Sequence, residues 1–102
     1  MSVDIDQAVA DFDRDRLSIY ESLLSELLTA RRDSEATDFC GLFKRAQTVL
    51  GRSDLHMSHL FKVSRPTINR WSRGVTQPHP LLRQAVFDTL LVEVRDALKQ
   101  TR

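Results

Sequence analysis

The chain has 102 residues, 41% of them hydrophobic, which is enough for one small domain with a single core. Three glycines and three prolines are too few for a many-turned β protein, and the single cysteine, Cys40, excludes an intrachain disulfide and favours a reducing compartment. The net charge is only +1, the N-terminus has no apolar signal core, and no stretch reaches the ~18 apolar residues of a membrane span, so we expect a cytoplasmic protein without a membrane partner.

The N-terminal third predicts one long amphipathic helix. Asp4 and Gln7 can form a capping box that opens it, and the periodicity continues to about Ala30. Its apolar residues, at spacings of three, four and seven, are Val9, Phe12, Ile19, Tyr20, Leu23, Leu24, Leu27 and Leu28. Residues 31–37 are polar and non-periodic, which predicts a linker. We therefore divide the chain into an acidic helix with its linker, residues 1–36, and a second region, residues 37–102, within one domain overall.

Two helices are predicted in the first half of the second region. Apolar residues repeat with a helical period over residues 39–50, and Gly51 suits a C-terminal stop. Ser53 is a good N-cap for a short helix that follows. The apolar residues of that short helix are Met57, Leu60 and Phe61.

Two further helices complete the predicted fold. Ser64 can cap a helix whose first turn accommodates Pro66, since no intrahelical N–H partner is required there. Gly74 ends this helix, and after a stiff loop the last helix runs from about Pro80 to Lys99. The predicted fold class is therefore all-α with about five helices.

The helix predicted at residues 65–73 has two different faces. Ile68 and Trp71 stand three residues apart and share one face, so both are predicted to be core. The opposite face holds Pro66, Asn69, Arg70 and Arg73, with Arg65 projecting from the first turn. The planar fork of arginine pairs bidentately with guanine O6 and N7 and also binds phosphate. The short helix, the tight turn and this helix together predict a helix-turn-helix whose second helix enters the major groove of DNA.

Charge is distributed unevenly along the chain. Residues 1–36 hold nine acids against four arginines, a net of −5, whereas residues 44–83 hold eight bases against one acid, a net of +7. This asymmetry suggests two faces with different partners. The alternative is that the two halves neutralise each other within the fold.

Residues 47–78 contain a distinctive series of small, hydroxyl and apolar positions. In order they are Gly51, Ser53, Met57-Ser58, Val63-Ser64-Arg65, Thr67-Ile68, Gly74 and Pro78. This series resembles the Cro and lambda-repressor-like family of helix-turn-helix regulators, also called the Xre family. Gly51 matches the glycine between the family's first two helices, and the later positions match its pattern V-S-x-x-T-I…G-x-x-x-P. The resemblance covers about a third of the chain.

The resemblance implies a lambda-repressor-like core and a transcriptional regulator, most simply a repressor, that binds double-stranded DNA as a homodimer on an inverted repeat. It implies neither an enzyme nor a cofactor. Arg65 and Arg70 occupy the family's base-reading positions, whereas Lys62 and Arg73 are expected at phosphates. The full set expected at DNA is Ser53, Lys62, Arg65, Pro66, Thr67, Asn69, Arg70, Arg73, Thr76 and Gln77. For Thr67 the alternative is a bond within the first turn only.

The sequence departs from the family at three places. Lys62 stands where the family usually has the turn glycine, so either the turn differs or a lysine accepts an unfavourable backbone angle. Asp54 replaces the usual Gln, and its carboxylate would repel phosphate although it suits a helix N-terminus. The family's frequent Arg–Glu pair falls on Gln47 and Ser72, so both charges are absent together.

These departures support alternative functions. The first is a protein-interaction module, antiactivator-like or antitoxin-like, whose acidic N-terminal helix binds a second protein while DNA binding is weak or lost. The second is an accessory DNA-binding part of a recombination or packaging system. A metal site at His56 and His59, three residues apart, is a minor alternative. The sequence contains no Ser/His/Asp arrangement or Gly-rich phosphate loop, so we expect no catalysis.

Residues 17–28 and 85–94 are more apolar than one buried helix face requires. The surplus predicts that these two helices form the dimer interface. The residues expected there are Leu23, Leu27, Val86, Leu90, Leu91 and Val94. We therefore expect Leu91→Glu to give a folded monomer. The alternative is that the two helices bury each other within one chain.

Overall fold

The computed structural model describes residues 5–35 and 37–101, with side chains from residue 14 onward. The described residues form five α-helices and no strand: α1 (Ile5–Arg32), α2 (Phe39–Leu50), α3 (Asp54–Phe61), α4 (Arg65–Arg73) and α5 (Pro80–Thr101). The all-α prediction with about five helices is confirmed. Within the described ranges, no helix combines the length and the apolar character that crossing a membrane requires. The predicted capping box at Asp4 lies outside the described residues.

The ends of α2, α3 and α4 follow from single residues. Asp38, Ser53 and Ser64 are their N-caps, and each side chain accepts a backbone N–H bond of 3.1–3.2 Å from the first turn. Gly51 and Gly74 end α2 and α4 with φ of 65° and 77°, a left-handed conformation that glycine adopts without a Cβ clash. The caps at Ser53 and Ser64 and the two glycine stops confirm the predicted helix boundaries.

The first and last helices pack along each other in opposite directions. Near one end of the pair Arg31 lies beside Asp88, and near the other end Arg16 and Thr101 line the same cavity. Because α1 has 28 residues and each residue adds ~1.5 Å, it is roughly 40 Å long. The molecule is correspondingly elongated, with principal extents of 55 × 27 × 21 Å.

The predicted dimer interface is wrong, because its six residues lie in the core of one chain. Their exposed fractions are between 0% and 6%. They are Leu23, Leu27, Val86, Leu90, Leu91 and Val94. The surplus apolar surface of α5 is buried because this helix packs against both α1 and α2. The prediction assumed one covering helix, whereas two are present. The alternative, in which the flanking helices bury each other within the chain, is the observed arrangement.

An aromatic cluster attaches α4 to α2. The Trp71 ring stands perpendicular to the rings of Phe39 and Phe43, with centroid distances of 5.7 and 5.6 Å and interplanar angles of 88°. Phe87 of α5 contacts the same cluster, 5.5 Å from Phe39. Edge-to-face contacts of this kind add ~0.5–1.5 kcal/mol per pair beyond burial. Trp71, together with fully buried Ile68, therefore fixes how α4 is oriented, and their prediction as core is confirmed.

Candidate nucleic-acid interface

The turn between α3 and α4 depends on a lysine in a left-handed conformation. Lys62 has φ 57° and ψ 43°, and it is the one non-glycine residue with positive φ among the described residues. The turn closes when the Val63 N–H donates to the Ser58 carbonyl at 3.0 Å. The second of the two expectations for Lys62 is therefore correct: the turn is kept, and the lysine adopts the unfavourable angle. Its side chain is exposed.

The outward face of α4 has the composition that the sequence predicts. Arg65, Pro66, Asn69, Arg70 and Arg73 are all exposed, while the opposite face is buried in the core. Guanidinium and amide donors are therefore presented side by side over the nine residues of α4.

Several hydroxyl groups near this face are engaged in local hydrogen bonds, most of them at helix N-termini. Thr67 Oγ1 lies 2.8 Å from Ser64 Oγ, and the Thr67 N–H donates to the same oxygen at 3.2 Å. Ser53 Oγ accepts the His56 N–H, and Ser72 Oγ donates to the Asn69 carbonyl at 3.1 Å. Thr67 thus makes the bond within the first turn that was its alternative role, and Ser53 and Thr67 shape the surface mainly by fixing helix ends.

The cations on and beside α4 have no acidic partner among the described residues, whereas three arginines on other elements do. Arg31 Nε lies 2.6 Å from Asp88 Oδ1, although the geometry is not that of a hydrogen bond. Two more pairs in the described ranges are Arg45–Glu26 and Arg52–Glu93. Lys62, Arg65, Arg70 and Arg73 make no ion pair with any described residue, and the same holds for five cations elsewhere, namely Arg32, Lys44, Arg83, Arg95 and Lys99. Of these three ion pairs, only Arg45–Glu26 joins the basic segment to the acidic one.

A side-chain bond links α2 to the start of α3. The Gln47 amide donates to Asp54 Oδ1 at 2.7 Å in a partly buried position. The resemblance to the Xre family aligns Gln47 with the arginine of that family's frequent Arg–Glu pair; in this chain a neutral donor holds a different carboxylate. One oxygen of Asp54 is engaged inside the protein, which gives this carboxylate a structural role at the helix N-terminus. Sequence reasoning missed this contact, although the seven-residue spacing across Gly51 was a possible signal.

The loop after α4 is tied to the rest of the fold at two points. Cys40 Sγ donates to the Thr76 carbonyl at 3.4 Å, and Arg83 Nε donates to the Pro78 carbonyl at 3.0 Å. Burial raises the pKa of the Cys40 thiol, and the negative charge of Asp38 raises it further, whereas Arg83 acts in the opposite direction. Cys40 is half-buried, so it both packs against the core and connects it to the loop. The Thr76 and Gln77 side chains remain exposed.

The predicted DNA-contacting residues are grouped around one element. Apart from Ser53, all lie on α4 or within four residues of its ends. His56 and His59 are exposed on α3, and the described part of the chain contains no group of three side chains suited to a metal ion. Comparison with protein-family models, curated proteins and solved structures finds no match to this chain. Its function must therefore be inferred from these residues themselves.

Proposed function

We propose that this protein is a sequence-specific DNA-binding regulator that inserts α4 into the major groove. The supporting observation is the exposed face of α4, where three arginines and an asparagine have no acidic partner among the described residues while Ile68 and Trp71 anchor the helix from behind. The major groove of B-DNA is ~12 Å wide and admits one α-helix of this kind. The uncompensated positive charge also attracts the phosphate backbone.

The exposed side chains fall into two groups according to the part of DNA that we propose they bind. Arg65 and Arg70 can pair bidentately with guanine, and Asn69 with adenine, so we propose them as base-reading residues. Lys62 and Arg73, near the two ends of α4, are proposed to bind phosphates. Thr76 and Gln77 extend this backbone contact along the loop, and Pro66 lies on the same exposed face.

The regulatory role rests on the resemblance of residues 47–78 to the Xre family, with repression by promoter occupancy as its simplest form. The interaction-module alternative rests on the departures from the family at Lys62 and Asp54. The conformation of the turn accounts for Lys62, and the hydrogen bond from Gln47 accounts for Asp54. From Leu17 onward, most apolar residues of α1 pack into the core that α5 helps to form. A partner of this part of α1 would therefore have to bind its polar side.

We further propose that a homodimer forms through the exposed face of α5. Three large apolar residues there are 81%, 57% and 54% exposed, namely Leu81, Leu82 and Val92. With Ala85, also exposed, they lie opposite the buried face of the helix. Antiparallel pairing of two α5 helices about residues 86–87 would bring Leu81 of one copy against Val92 of the other. A two-fold arrangement of this kind suits an inverted repeat.

The test is to select a binding site from random DNA and to measure affinity for it. We expect Arg65→Ala and Arg70→Ala each to weaken binding by ~1–3 kcal/mol and to relax the preference for a G·C pair. Arg95→Ala is the matched control, because Arg95 is an exposed arginine on α5, outside the α4 surface. Unchanged affinity in both α4 variants would refute the base-reading role. Failure to select any sequence would favour the protein-interaction alternative.

A further inference from the structure

A polar cavity lies at the end of the α1–α5 pair, beside the junction of α2 and α3. Its volume is about 520 Å³, within the range of ~300–1,000 Å³ typical of small-molecule sites. The residues that line it are Arg16, Tyr20, Leu50, Arg52, Ala97, Gln100 and Thr101. Two of these seven residues are arginines, and Tyr20, Gln100 and Thr101 add further hydrogen-bond donors.

The α1 wall of the cavity holds one arginine on an aromatic ring. Arg16 Cζ lies 6.0 Å from the centroid of the Tyr20 ring, and Arg16 Nη2 lies 3.5 Å from the Tyr20 hydroxyl. A cation on the face of a tyrosine ring is attracted by the ring quadrupole. This contact restricts the guanidinium to one side of the cavity, and the tyrosine hydroxyl adds a donor on the same side.

The second arginine comes from the α2–α3 junction. Arg52 stands between Gly51, the left-handed end of α2, and Ser53, the N-cap of α3. Its Nη2 lies 4.0 Å from Glu93 Oε2, at the outer limit of an ion pair, and its side chain is 40% exposed. This distant carboxylate compensates its charge only weakly. The Arg52 guanidinium therefore remains available to a ligand in the cavity.

We propose that this cavity binds a phosphate group between Arg16 and Arg52, with the Tyr20 hydroxyl and the Gln100 amide as further donors. Guanidinium groups recognise phosphate through paired, charge-assisted hydrogen bonds. Both arginines are required, because α2 and α5 end at this cavity and the partial negative charge of a helix C-terminus opposes an anion. The space accommodates more than one phosphate, so the group belongs either to a small phosphate ester or to a DNA backbone running past α3.

The first experiment needs no DNA. Inorganic pyrophosphate is titrated into the full chain by calorimetry at constant ionic strength, with Arg16→Ala, Arg52→Ala, Arg52→Lys and the control Arg95→Ala. We expect saturable binding that weakens roughly tenfold or more in either alanine variant, since each removes charged hydrogen bonds. Arg52→Lys should lose less, and Arg95→Ala should bind as the parent does. Circular dichroism checks that every variant remains folded.

The second experiment identifies the source of the phosphate and rests on the proposed DNA-binding function. The salt dependence of DNA binding is measured for the same variants. Saturable pyrophosphate binding with an unchanged DNA salt slope supports a small phosphorylated ligand. No saturable binding, but a slope lowered by about one unit in each alanine variant, supports a backbone phosphate. If neither effect occurs the proposal is wrong, and the pyrophosphate titration remains informative even if the protein does not bind DNA.

Discussion

At the scale of one residue, Lys62 combines an unfavourable backbone conformation with an exposed positive charge. An L-residue in the left-handed region is disfavoured by ~1–2 kcal/mol relative to the right-handed helix, and glycine avoids most of that cost. The turn needs this conformation in order to close on the Ser58 carbonyl. The lysine adds an exposed charge immediately before α4, which a glycine would lack. We infer that the lysine charge strengthens DNA binding, and that this gain offsets the stability lost through the backbone conformation.

Replacing Lys62 separates the two effects. We expect Lys62→Gly to raise the free energy of unfolding by about 1 kcal/mol and to lower the salt slope of DNA binding by about one unit. Lys62→Ala should lower the slope equally without the gain in stability, and it should weaken all DNA sequences alike. Urea denaturation and binding at several salt concentrations measure the two quantities. An unchanged slope would remove Lys62 from the DNA surface.

Side-chain bonds between elements are the part of the site that the sequence does not predict. Ser53, Ser64, Gly51 and Gly74 are recognisable as helix ends because capping depends on residues a few positions apart. The Cys40–Thr76 bond joins residues 36 positions apart. Such a contact depends on how helices pack, which local periodicity does not determine. The unpaired cations near α4, by contrast, were predictable from the local charge.

At the scale of the element, α5 explains why the dimer prediction failed. Seven of ten residues in 85–94 are apolar, more than one contact surface needs. Helix α5 packs against α1 on one side and α2 on the other, so its buried arc is wide. Only Ala85 and Val92 of those apolar residues are exposed. The periodicity correctly indicated a surplus of apolar residues on this helix. It does not determine how many neighbouring helices cover that surface, which depends on the tertiary packing.

Adjacent residues of α5 provide a matched test of this arrangement. Leu91 is 3% exposed and Val92 is 54% exposed. Leu91→Glu should therefore bury a charge in the core and destabilise the fold by several kcal/mol, close to the total stability of a small domain. Val92→Glu should keep the helical circular dichroism signal and most of the melting temperature. If Leu91→Glu instead gave a well-folded monomer, the packing of α1 on α5 would be incorrect.

At the scale of the whole molecule, dimerisation should depend on residues outside the core. We expect Leu81→Glu to give a folded monomer that binds DNA far more weakly, because Leu81 is 81% exposed and makes the largest contribution to the free apolar face of α5. Analytical ultracentrifugation of the parent and the variant measures the association. The control is Lys44→Ala, which changes an exposed residue of α2, away from this face of α5. A parent protein that is monomeric at tens of micromolar would contradict the dimer.

The pairing of α1 with α5 also has a consequence for synthesis of the chain. The ribosome completes α1 at Arg32 and its partner helix only at Thr101, so at about 5–20 residues per second α1 waits roughly 3–14 seconds for α5. During that interval Leu23 and Leu27, fully buried in the finished protein, have no complementary surface. Exposed apolar segments of this kind are bound by chaperones and tend to aggregate. Aggregation is therefore a greater hazard for the nascent chain than for the folded protein, which buries both leucines.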